Sequence, residues 1–199
     1  GVPPSDAVLS AMEADIAAGR TQQAALRAMD DPAFYAVTLK NLVTPWTNRD
    51  QTVFAPLNDY TATVIGMVRD DVPFNELLSG DILYVGNAGL GLPAVSATSN
   101  THYEQMESRG INLLAGLQRT TQSSVYGIPA AATAGVITSR AAAQSFFIAG
   151  TNRAMFRFTM LNHMCRNLEE VHDTTRPPDR IRQDVSRSPG GDARLFLNN

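Results

Sequence analysis

The stretch TSRAAAQSFFIAGTNRAMFRFTMLNHMCRNLEEV, residues 138–171, decides the fold class. Thr138 or Ser139 can cap a helix running through Phe147, and Gly150-Thr151-Asn152 interrupts it. From Arg153 to Val171, Met155, Phe158, Leu161, Cys165 and Leu168 then recur on one broad apolar face, which predicts a long, mostly buried helix. Working outward, the preceding chain repeats the theme with shorter pieces. Ser5 can cap a helix in which Ala7, Val8, Ala11, Met12 and Ile16 keep helical spacing up to Gly19, and Thr21 can cap a second through Met29. Asp31-Pro32 starts a third running toward Pro45, because proline at the first helical position loses no hydrogen bond.

The polar, proline-bounded stretch 44–56 reads as a loop carrying Trp46. Asn58 or Asp59 caps a helix from Tyr60 to Val68, Pro73 opens a short helical turn stopped by Gly80, and Ile82–Gly86 is extended. The Gly-, Ala- and Ser-rich residues 87–100 form a surface loop before a helix around Tyr103–Gln118, which Gly110 kinks or divides. After Asp173 the chain is rich in Arg, Asp and Pro and has too few apolar residues for a core of its own. The expected architecture is mainly α: an irregular helical domain over 1–172 with long loops, then an extended segment over 173–199.

Composition narrows the function classes. With 199 residues, 44% of them hydrophobic and 18% charged, the chain suits one globular domain or two small ones. No apolar run approaches the ~18–20 residues of a membrane-spanning helix. The single cysteine, Cys165, excludes an internal disulfide, a Cys-rich zinc site and a Cys-x-x-Cys-His haem attachment within these residues. Residues 1–139 carry 7 basic and 13 acidic groups, and residues 140–199 carry 9 and 6, so the two parts have opposite net charge and can attract each other. The arginines are interleaved with acidic residues rather than gathered in a stripe, which argues against nucleic-acid binding.

The chemical motifs weigh toward a chain that is not itself an enzyme. Glu169-x-x-His172 places a carboxylate and an imidazole on one helical face, but a di-iron bundle needs a second such pair. His102 and His163 have Ser99 and Met160 at the corresponding positions, so no metal site is expected. There is no Gly-x-Ser-x-Gly elbow. Cys165, read as mid-helix between Leu161 and Leu168, is an inert small hydrophobe, and no catalytic residue is assigned. Gly86-Asn-Ala-Gly89-Leu-Gly91 lacks the Lys-Ser/Thr of a phosphate-binding loop and reads as a flexible surface turn. Met155, Met160, His163, Met164 and His172 have side chains of the types that ligate haem iron axially, with the histidines the stronger candidates and methionine at helical spacing ordinarily core filler.

Two segments carry a resemblance. PLNDYTATVIGMVRDDVPFNELLSGDILYV, residues 56–85, is similar to the pattern of planctomycete-type, cytochrome-c-associated secreted proteins: an arginine, one or two aspartates, Pro-Phe, two leucines and an aspartate. The segment from AGVITSR, residues 134–140, through Arg153 and Cys165 to DTTRP at 173–177 and RSPGGD at 187–192 resembles the stretch that in such proteins precedes a Cys-x-x-Cys-His haem site. Together these cover about half of the chain. The resemblance implies a periplasmic or extracellular location and a non-catalytic scaffold or partner role in c-type cytochrome electron transfer. It also implies a haem c held outside this segment, none attached within it, and His163, His172 and Met164 as the residues that could offer a distal ligand. The expected partner is a haem-bearing domain or cytochrome, and the chain is expected to be the front part of a longer protein that continues past Asn199. A structural subunit of an extracellular filament or surface assembly, formed by attraction between the oppositely charged parts of neighbouring copies, is the competing expectation.

Overall fold

The computed structural model describes residues 3–147, 153–167 and 170. At its centre lies a helix, Asp59–Arg69, whose residues 59–67 are all buried. Because this helix is apolar or small on every side, it can be surrounded, and the other elements pack around it. In chain order these are α1 (Asp6–Ala17), α2 (Thr21–Met29), a π-helical turn (Phe34–Leu39), α3 (Lys40–Val43), a 3₁₀ turn (Thr44–Thr47), the central α4 (Asp59–Arg69) and a 3₁₀ turn (Phe74–Leu78). Then come β1 (Leu83–Gly86), α5 (Thr101–Ser108), α6 (Leu113–Gly116), β2 (Leu117–Thr120), α7 (Gln122–Tyr126), α8 (Arg140–Phe146) and α9 (Arg153–Met164), with further 3₁₀ turns at Ala88–Leu90 and Ala130–Ala132. The chain is mainly α, as the helical spacing of its apolar residues requires.

The two strands form one antiparallel ribbon, Leu83 opposite Thr120 and Gly86 opposite Leu117. It lies against α4, where Gly66 makes room for the ring of Tyr84: a Cβ built at Gly66 would stand 2.1 Å from Tyr84 Cδ1. On the other side α8 and α9 close over the core through the stacked rings of Phe146 and Phe158, 4.8 Å apart. The α1–α2 hairpin is peripheral, burying only Asp15 and Ala24. Asp15 holds the hairpin together by accepting from Arg27 Nε (2.5 Å) and Arg20 Nη2 (2.6 Å). The same two guanidiniums, Arg27 first, hold its carboxyl below the usual range.

Local cap chemistry agrees with the sequence reading at several helix starts but not at α2, where Thr21 is the first helical residue, Arg20 stands at the cap and no side-chain cap bond forms. The Ser5 hydroxyl accepts from Val8 N, Asn58 Oδ1 from Thr61 N and the Ser139 hydroxyl from Ala142 N. Asn58 is therefore the cap of α4, and Asp59 stands inside the first turn. The third helix expected toward Pro45 is a continuous helical run of three geometries, π, α and 3₁₀, so the loop expected at 44–56 begins with helical residues and Trp46 is half-buried. The helix expected over 103–118 is divided, as Gly110 allows: its φ of +60° ends α5, Asn112 caps α6, and Leu117–Thr120 forms β2.

Two expectations are corrected in the last helix. It ends at Met164 rather than Val171, and Cys165 is the first residue past it, exposed and with φ +51°. A left-handed residue cannot continue an α-helix; instead Arg166 N turns back to bond Met160 O at 3.1 Å. Cys165 is therefore not the mid-helix hydrophobe that the apolar spacing predicts. Leu168, the pair Glu169-x-x-His172 and the segment 173–199 lie outside the described residues.

Candidate functional site

Three polar centres interrupt the apolar interior, and each draws its partners from distant sequence. The first is Asp59, fully buried at the start of α4. Its Oδ2 accepts from Arg140 N at 2.6 Å and from the Tyr126 hydroxyl at 2.9 Å, and its Oδ1 from Ala141 N at 3.0 Å and from Tyr60 N at 3.0 Å. One carboxylate thereby satisfies amides in the first turn of α8, which have no intrahelical partner, and pins that helix to α4.

The second centre is His102, 5% exposed on α5. Nδ1 lies 2.7 Å from Pro93 O, and Nε2 accepts from Gly86 N at 2.9 Å. A carbonyl can only accept and an amide N–H only donate, so the proton sits on Nδ1. His102 ties β1 to the loop that follows the glycine-rich turn. Gln122 does similar work beneath α7, donating to Ile82 O (3.1 Å) and Gly135 O (2.6 Å) and accepting from the Thr138 hydroxyl (2.8 Å).

The third centre contains His163, one of the residues singled out from the sequence. Its Nε2 is 2.6 Å from the Tyr60 hydroxyl, its ring stacks on Tyr60 and meets Trp46 edge-on at 5.6 Å. Burial holds the imidazole below its ordinary pKa and pushes the Tyr60 hydroxyl far up, so both are uncharged near neutral pH. Met164 is exposed, at 58%. His172 lies outside the described residues. Of the other sulfur candidates, Met155 is buried in the core and Met160 is half-buried on α9.

These positions bear on how a haem could be met. His163 and Met164 are consecutive on one helix, about 100° apart around its axis, and cannot flank the two faces of one macrocycle. An iron at His163 Nε2 would displace the Tyr60 hydroxyl, whereas the Met164 thioether is presented at the surface. Among the described residues, no group of three or more His, Cys, Asp or Glu side chains stands close enough to hold a metal ion, and no helix is long and apolar enough to cross a membrane.

Beside Asp59 the surface opens into a cleft of about 610 Å³ between the 3₁₀ turn at Thr44–Thr47 with its following loop, the residues leading into α5, and α8. Arg140 enters it from α8, with Nη2 donating to Asn100 Oδ1 (2.8 Å) and Nη1 to Gln144 Oε1 (2.5 Å). Arg49, from the loop after that turn, reaches across to α8, where its Nε donates to Ser145 O at 2.7 Å. The walls are tied together by polar bonds between residues distant in sequence: Ser145 Oγ donates to Thr47 O (2.7 Å), and Asn100 Nδ2 to Leu57 O (2.8 Å).

Sequence reasoning missed Asp59 as a hub, His102 and Gln122 as fasteners, and both cleft arginines. The only sequence signal for them is local: the Asn58-Asp59 and Ser139-Arg140 helix starts, whose mutual contact nothing in the intervening residues announces. Comparison with known proteins identifies no relative: no protein-family model, curated protein or solved structure matches this chain.

Proposed function

We propose that this chain is a non-catalytic scaffold or partner domain in c-type cytochrome electron transfer outside the cytoplasm, docking a haem-bearing domain against the outer face of α9. The observation that carries the reading is that face. Phe156, Met160 and Met164 follow one another at intervals of four, and Phe156 and Met164 are 57% and 58% exposed while Met155 and Phe158 on the opposite side are buried in the core. Phe147, at the end of α8, is a further exposed apolar side chain. An exposed apolar stripe of this kind suits a docking surface.

Two further points support it. The buried polar side chains Asp59, His102 and Gln122 are committed to main-chain groups, which is what a rigid support requires. In sequence, α9 also lies within the segment, residues 134–192, that resembles the approach to a Cys-x-x-Cys-His site. A haem supplies one-electron transfer when bound to the partner; this chain's part is to hold that partner in place, with the Met164 thioether on the shared surface.

The test is spectroscopic. Native material captured through this chain is expected to show c-type haem absorbance, lost on Phe156→Glu or Met164→Glu while the circular dichroism of the domain is unchanged. Absence of any haem absorbance in native material whose intact mass equals that of the 199 residues alone would refute the proposal.

A further inference from the structure

We infer that the cleft between Arg49 and Arg140 is a binding site for a small oxyanion, a carboxylate or a phosphate, which both guanidiniums clasp. The inference is independent of any haem partner and rests on how these two charges are held.

Arg140 is half-buried and its Nε is fully shielded without a hydrogen-bond partner. Its two recorded side-chain bonds go to the neutral amide oxygens of Asn100 and Gln144, which orient the planar fork without neutralising it. Arg49 is fixed through Nε on the Ser145 carbonyl, another neutral acceptor, and this leaves both of its terminal nitrogens without a partner among the described residues. Neither arginine pairs with a carboxylate among the described residues. Arg69, whose guanidinium also bonds main-chain carbonyls beside the core, has Asp70 as its acid. A shielded positive charge without a counter-ion is costly; Arg140 is such a charge, and the exposed Arg49 guanidinium at the same cleft adds a second, so a negative group bound there would be worth more than water.

The rest of the lining agrees with a polar ligand. Thr98, Ser99 and Asn48 contribute hydroxyl and amide groups, and among the described residues no aromatic side chain lines the cleft to offer the stacking platform a sugar ring or nucleobase would use. Glu104 stands at the same cleft and is held by Asn100 Nδ2 at 3.2 Å. With two guanidiniums and one carboxylate, the lining favours a ligand of low negative charge over a polyanion. Guanidinium forks match the paired oxygens of a carboxylate or phosphate, so the donors left on Arg49 and Arg140 set the ligand class.

The probes are inorganic phosphate and succinate, each titrated calorimetrically into the full chain at low ionic strength with sodium chloride as the matched control. Saturable binding of at least one is expected, and the tighter of the two names the source. Arg49→Gln and Arg140→Lys are each expected to weaken it by about tenfold or more, because the fork geometry and not charge alone is required. Arg109→Gln, whose guanidinium bonds Leu90 O and Gly91 O elsewhere on the surface, is expected to bind as the parent does. Should Arg140→Lys disturb the fold, Arg49→Gln decides the matter, since that side chain is exposed. No saturable binding of either anion beyond the chloride control, or parental affinity in Arg49→Gln, would overturn the inference.

Discussion

Replacing Asp59 by asparagine preserves its volume and removes one acceptor oxygen and the charge. Each oxygen of the native carboxylate receives a main-chain N–H from α8, Arg140 N on Oδ2 and Ala141 N on Oδ1. Whichever way the new amide turns, its NH₂ group therefore faces a helix N–H, donor against donor. A hydrogen bond to a charged group contributes about 1.5–3 kcal/mol net, and a buried donor left unmade costs about 1–3 kcal/mol. The Tyr126 hydroxyl can rotate to accept from the new NH₂ and recover part of this, so a loss of about 3 kcal/mol is expected for Asp59→Asn. Asp59→Ala removes all three contacts to α7 and α8 at once and should cost about 4–6 kcal/mol, close to the whole stability of a marginal domain. Urea unfolding followed by far-ultraviolet circular dichroism measures both. With a denaturant slope of about 2 kcal/mol per molar, the midpoint of Asp59→Asn should fall by about 1.5 M. A shift below about 0.3 M in both variants would refute the claim that this carboxylate fastens α8 to α4.

Gly135 supplies a backbone test. Its φ is +54° and an added Cβ would stand 1.9 Å from the Leu77 carbonyl oxygen, so Gly135→Ala combines strain with a clash against main chain and should cost about 3–5 kcal/mol in the same assay. Gly91→Ala, with φ +58° but open space around it, isolates the conformational part at about 1–2 kcal/mol. His163 supplies a pH test. Its folded-state pKa lies below 6.5, so the unfolded chain binds more protons as pH falls, and the stability contributed by the uncharged ring is present above 6.5 and drains away below it. The parent should therefore lose more melting temperature than His163→Gln between about pH 7.5 and 5.5, and equal losses would count against a buried, uncharged ring.

What the sequence made legible is the chemistry that is local to it. Ser5, Asn58 and Ser139 cap the helices they precede because a short polar side chain reaches an amide three residues on, and Gly110 ends α5 because a left-handed turn is open to it. The Phe146–Phe158 contact follows from two apolar helix faces that had to meet. The bonds of Asp59 were not legible, since Arg140 and Ala141 are 81 and 82 residues away and α8 could have packed on another element. The sequence shows only that His102 lacks the carboxylate partner of a metal pair; the positions of Pro93 O and Gly86 N decide its role and which nitrogen carries the proton. β2 was hidden because Leu117-Gln-Arg-Thr120 buries one residue and exposes the next two, with no period to read. The end of α9 was missed for a different reason: Cys165 fits the apolar spacing, but spacing says nothing about φ, and its +51° carries the chain off the helix.

Arg140 joins the two halves of this picture. Its main-chain N–H is held by Asp59 and its guanidinium by Asn100 and Gln144, so the same residue is fixed at both ends before any ligand arrives. A donor ordered in advance loses little conformational freedom when an anion binds, which is the condition under which a few hydrogen bonds give measurable affinity. The order also runs the other way: a bound anion that stabilises the fork would stabilise the α4–α8 junction behind it, by mass action on the folded state. Fold and cleft share one backbone bond of 2.6 Å, so the stability of the Asp59 variants in the presence of phosphate or succinate tests whether they are coupled. If the clamp positions the cleft, anion-dependent stabilisation should shrink in Asp59→Asn along with the stability itself; if the cleft is independent of the clamp, the increment will persist unchanged on a weaker fold.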